Sequence, residues 1–241
     1  MAIQVRDSAE FQRLLVALSQ ELVEANIFFR MHMDLIAAST EYADEMNQSV
    51  TFWDRTITAH LDAAILRLCR IYDQEKRNLS LSGLLDTIRA NPHLFSAQQF
   101  ERRIEGNPAA QLLNADPPVL DRAILDKDIS YVTRATNPIV DRLIDVRHNY
   151  YSHRNAADVV AERRVADEHP ITRDDVGEML RGGMEIANRY NEIFRAHFYS
   201  TQMVGADDYK SVLKAVRKRI AAQRQALEEE CRRFGLDPGD V

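Results

Sequence analysis

No run of apolar residues approaches the roughly 18 to 20 that a membrane-spanning helix needs, so no transmembrane anchor is expected. The N-terminus, Met1 to Asp7, lacks a basic stretch followed by an apolar one and is read as having no secretory signal. Cysteine is scarce: Cys69 and Cys231 are the only two. Without an export signal they are expected to be free thiols in a reducing cytoplasm. In that compartment the sequons at Asn47 and Asn78 mean nothing. Glycine and proline are few, eight and seven in 241 residues, which disfavours a turn-rich β-sandwich and favours long helices. Several chemistries also lack their residues. There is no glycine-rich phosphate loop and no serine nucleophile elbow. No two of the seven histidines stand three or four apart, and neither cysteine has a neighbouring cysteine. Neither a metal site nor a cofactor site is therefore expected.

The formal net charge is −6, so strong nonspecific binding to duplex driven by overall charge is excluded, though a local basic site is not. The charge is polarised. The first sixty residues carry nine acids against four arginines, whereas residues 210–233 carry eight cations against three glutamates.

Apolar spacing is helical nearly throughout. Asp7 with Glu10 three residues on reads as a helix start, followed by a stripe of Phe11, Leu14, Leu15, Leu18 and Leu22. A second long helix places Phe52, Trp53, Ile57, Leu61, Ile65, Leu68 and Tyr72 on one face. Ser82 is expected to cap a short helix with Leu84, Leu85 and Ile88, which Asn91-Pro92 ends. Residues 92–118 read as an irregular insertion with one short helix near Ala97–Ile104. Helix resumes from about Val119 to Ala135 and restarts at Thr136-Asn137-Pro138. A polar linker then leads to Pro170. Thr172 with Asp175 starts another helix, in which Gly182-Gly183 marks a kink or a close helix contact. The last helix spans about 207–234, with Gly235 as its stop. The expectation is an all-α bundle of long antiparallel helices over residues 1–200, followed by a basic helix over 206–236. Lys210, Lys214 and Lys218 recur every four residues along that helix. They form either a solvated face or a flank for a nucleic-acid backbone.

One segment concentrates chemistry: Arg147-His148-Asn149-Tyr150-Tyr151-Ser152-His153-Arg154. Arginine is a permanent cation that binds phosphate bidentately. Histidine is the side chain best placed for proton transfer near neutral pH. Together they suffice for RNA cleavage without a metal, in which a base takes the 2′-OH proton and a cation stabilises the phosphorane. The same residues could instead complement a helix C-terminus. At roughly 100° per residue Arg147 and His153 point about 120° apart on a straight helix. Either the helix ends or kinks before His153, or the groups meet across a two-fold dimer.

Arg147, the polar His148, and His153 after five intervening residues, placed at the end of a helix, resemble the signature of the HEPN superfamily. Arg154 and the upstream helix from Trp53-Asp54 to Leu66-Arg-Leu-Cys-Arg-Ile-Tyr-Asp73 resemble its abortive-infection AbiU-like branch. The resemblance is specific over these two segments and looser elsewhere. It implies a helical bundle that dimerises and, in many members, a metal-independent ribonuclease of toxin or phage-defence systems. By that resemblance Arg147 holds the scissile phosphate, His153 serves in acid–base catalysis and His148 orients the site. Asn149 and Arg154 would join Lys210, Lys214 and Lys218 in binding RNA. The implied partners are RNA, a second copy of the chain and an inhibitory antitoxin. The superfamily also has inactive members, so a non-catalytic module binding RNA, nucleotide or protein is the alternative.

Overall fold

The computed structural model describes residues 2–105, 119–148, 160, 171–202, 205 and 207–235. Among them there is no strand, and none of their helices is long and apolar enough to cross a membrane. The helices are α1 (Ser8–Glu41), α2 (Ala43–Met46), α3 (Val50–Ile71), α4 (Leu81–Ala90), α5 (Ala97–Ile104), α6 (Arg122–Val132), α7 (Pro138–Val146), α8 (Arg173–Arg195) and α9 (Tyr209–Phe234). The expected insertion residues 106–118 and most of the expected linker before Pro170 lie outside the described residues.

Local side-chain chemistry sets five of the nine helix starts among the described residues. Asp7 Oδ1 accepts from Glu10 N at 2.8 Å to open α1, while the Glu10 carboxylate returns to Arg6 N at 2.7 Å. Asn137 accepts from Ile139 N and Asp121 from Ala123 N, each capping the helix that follows. A full capping box at Thr172 and Asp175 opens α8. Gly235 closes α9 in the left-handed region at φ 68°. Two expectations need correction. Ser80, not Ser82, caps α4, accepting from Gly83 N at 3.2 Å, because the helix starts at Leu81, two residues earlier than a cap at Ser82 would set it. Phe52 does not share the buried face of α3, being 58% exposed. Trp53, about 100° further round the helix, is the one that packs against the core of Leu35, Ala38, Tyr42, Met46 and Leu213.

The chain forms two compact units, Met1–Phe29 with Asp62–Thr201, and Arg30–Leu61 with Gln202–Val241. In the first, Phe11, Phe95 and Phe194 pack ring against ring with centroids 4.9–5.4 Å apart. Arg103 stacks over Phe194 at 3.9 Å. Its guanidinium meets no carboxylate among the described residues, and burial lowers its pKa to about 10. Buried polar groups are matched across helices. Asn191 donates to Ser19 Oγ, Tyr72 to Met179 O, and Tyr190 to Asp128, which also pairs with Arg189. Gly182 and Gly183 leave α8 continuous and serve as close contacts. A Cβ at Gly182 would strike the Tyr131 hydroxyl, and one at Gly183 would lie 2.7 Å from Leu22 Cδ2.

In the second unit, Leu35, Ala38, Tyr42, Met46 and Leu213 form the core, with Trp53, Ile57 and Tyr209 packed against it. Arg217 lies over the Tyr42 ring and pairs with the buried Glu45. Arg224 pairs with Asp44. Both cysteines are free and buried.

Candidate active site

The site is built where α3 and α7 end. Asn137 and Pro138 start α7, and Val140, Leu143, Ile144 and Val146 bury its apolar stripe. The Cys69 thiol reaches Leu143 O at 3.8 Å, which places the last turn of α3 against α7. Burial pushes that thiol up to about 12, so it is no nucleophile. Past Val146 the helix widens into a π-type turn at Arg147 and His148. Such turns are frequent at functional sites.

The Arg147 guanidinium meets Asp73 at 2.7 Å; its side chain is 25% exposed and that of Asp73 only 5%. Asp73 stands just beyond α3 and is tied on every side. Its Oδ1 accepts from Glu75 N at 2.9 Å, an Asx turn, and its Oδ2 from Asn78 Nδ2 at 2.7 Å. Burial pushes the carboxyl up. The Glu75 N–H, the Asn78 amide and the Arg147 guanidinium outweigh burial and hold it below the usual carboxylate range. The carboxylate is therefore charged at neutral pH, and Arg147 is a cation fixed in direction with part of its surface open. His148, next along the chain, is exposed.

Of the residues expected at the site, Arg147 and His148 stand together at the end of α7. His153, Asn149 and Arg154 lie outside the described residues. Lys210, Lys214 and Lys218 lie on α9 in the other unit, with Lys214 and Lys218 exposed and no ion pair on any of the three among the described residues. Sequence reasoning assigned no role to Asp73. The signal available was an aspartate immediately past a long helix, two residues before a Glu-Lys-Arg-Asn turn. Among the described residues no group of three or more histidine, cysteine, aspartate or glutamate side chains could hold a metal ion.

An all-helical fold that ends a short helix in Arg-His agrees with the HEPN class. The profile of the AbiU2 family within that class matches residues 8–215, and the chain belongs to that family. No curated protein and no solved structure matches the chain.

Proposed function

We propose that this protein is a metal-independent endoribonuclease of a host-defence or toxin-type system, acting in the cytoplasm as a two-fold dimer. The observation that carries the reading is the Arg147–Asp73 pair. It presents a preorganised, half-open cation at the end of α7, one residue before His148 and six before His153. Preorganised charge of this kind is the largest single contribution to most enzymatic rate enhancements.

In the proposed reaction Arg147 binds the scissile phosphate. His153 removes the proton from the substrate's 2′-OH, and the 2′-oxygen attacks phosphorus. The bond to the 5′-oxygen breaks, and that oxygen takes a proton from the second copy of His153. The products are a 2′,3′-cyclic phosphate and a 5′-hydroxyl. His148 orients the site, and Asn149, Arg154 and the Lys210, Lys214, Lys218 stripe bind the rest of the RNA backbone. A toxin of this type would be held in check by an inhibitory antitoxin partner.

The test is incubation of the full chain with RNA in EDTA. Cleavage should give cyclic-phosphate ends, and a single 2′-deoxy residue at the cleavage position should block it. His153→Ala should abolish cleavage while leaving RNA binding nearly intact, and Arg147→Ala should damage both. A strict magnesium requirement, or cutting of the 2′-deoxy substrate, would overturn the mechanism. One observation favours a second reading, a non-catalytic module that binds RNA, nucleotide or protein. Asp73 already neutralises Arg147, and a matched guanidinium attracts phosphate less strongly than a lone one. RNA binding without cleavage in the same assay would decide for it.

A further inference from the structure

The carboxylate that sets Arg147 also sets a second feature. Asn78 N donates to Glu75 O at 3.1 Å, closing a turn whose two central residues are Lys76 and Arg77. In a β-turn the first and fourth Cα atoms lie within ~7 Å. Both ends of this turn are fastened to Asp73, through Glu75 N and the Asn78 side chain. The base of the turn and the Arg147 guanidinium therefore hang on the two oxygens of one buried carboxylate. Lys76 and Arg77 are exposed at the tip.

The other cations nearby are committed elsewhere. Arg67 and Arg70 pair with Glu21. Arg134 pairs with Asp141 at 2.5 Å and Asp145 at 2.8 Å, while its N–H meets Gln74 Oε1 at 3.5 Å. Among the described residues no ion pair engages Lys76 or Arg77. Glu75 is the only acid in the turn, so the turn remains net cationic. A clamped turn with two uncommitted cations, fixed to the carboxylate that orients a half-open arginine, suits consecutive phosphates of one flexible strand.

We infer that Lys76 and Arg77 form a backbone-phosphate subsite for single-stranded RNA, beside the phosphate bound by Arg147. This rests on the ribonuclease reading for its substrate but not for its test. The subsite adds binding rather than proton transfer. Its loss should raise KM and leave kcat unchanged.

The test uses the full chain and a fluorescein-labelled 12-mer of 2′-deoxyuridine, which cannot be cut by 2′-OH attack. Its Kd is measured across a salt series for the wild type and for the double variant Lys76→Gln, Arg77→Gln. Each phosphate neutralised on a single strand contributes about 0.7 to the slope of log K against log salt, so the double variant should lose about 1.4. Affinity at low salt should fall about tenfold. Lys76→Arg with Arg77→Lys, which keeps both charges, should retain the wild-type slope. Lys127→Gln removes an exposed cation on α6 and should also retain it. An unchanged slope in the double variant overturns the inference. So does an equal loss in Lys127→Gln, which would mean diffuse charge rather than a subsite, and so does no binding by the wild type. Wild-type cleavage of RNA with an unchanged slope overturns the subsite and spares the ribonuclease. A lost slope without RNA cleavage does the reverse.

Discussion

Helices α8 and α9 have 23 and 26 residues, and both carry an apolar stripe in sequence. In α8 eleven residues are buried, while in α9 only Leu213 and Cys231 are. The ends differ as well. The capping box at Thr172 and Asp175 holds the start of α8, and Arg142 pairs with Asp175 at 2.7 Å. Asp208 before α9 makes no side-chain cap. An apolar stripe is permission to be buried, and neighbours decide whether burial follows. α8 finds Phe11, Leu22, Tyr72 and Tyr131 around it. The last third of α9 leaves Leu227 at 50% and Phe234 at 73% exposure.

The comparison is sharpest at the terminal phenylalanines. Phe194→Ala removes a fully buried ring from the Phe11–Phe95 cluster and should cost about 3–5 kcal/mol of stability. Phe234→Ala should stay within about 0.5 kcal/mol. Denaturant titration of both variants checks this, and equal losses would break the contrast.

Next comes the start of α8. Asp175→Ala removes half the capping box and the Arg142 partner, and should cost about 1–2 kcal/mol at pH 7. Burial pushes the Asp175 carboxyl up, but the Thr172 N–H and hydroxyl and Arg142 outweigh it and leave it low. A carboxyl lowered on folding stabilises the protein above its unfolded value of about 3.9 and loses that contribution as pH falls through its folded value. The Tm gap between wild type and Asp175→Ala should therefore hold from pH 7 to about 5, begin to narrow near the unfolded value of about 3.9 and vanish only below the lowered folded value.

A smaller effect of opposite sign is expected at the other end of α8. Ala196 closes it at φ 51°, in the left-handed region where a Cβ costs roughly 1–2 kcal/mol. Ala196→Gly should raise stability by up to about 1 kcal/mol in the same titration. Glycine already stands at the matching position of α9, Gly235.

The smallest stability change belongs to the lysine stripe. Replacing Lys210, Lys214 and Lys218 by alanine should alter stability by less than about 0.5 kcal/mol, because no ion pair among the described residues engages them. RNA affinity should fall and its salt dependence flatten. A large stability loss would mean that α9 is held by these side chains rather than by Leu213 and Arg217.

The candidate site was partly legible in the sequence. Arg147 and His148 could be named because their motif is continuous along the chain. Asp73 could not be paired with Arg147, since the two stand far apart in sequence and any exposed acid near α7 would have served as well. Gly182-Gly183 left a kink and a close contact equally open, and the choice between them needed the position of Tyr131.

What the sequence determined by itself was local: the helical period, the helix starts at Asp7, Thr136-Asn137-Pro138 and Thr172, the stop at Gly235 and the Arg-His motif. Each rests on groups within a few residues of one another, so short-range geometry settles them. The tertiary structure decided which stripe is covered, which face of α3 carries Phe52, and which carboxylate aims Arg147. Those outcomes depend on packing and ion pairing between segments distant in the chain, where many partners satisfy the same pattern and only the assembled fold selects one.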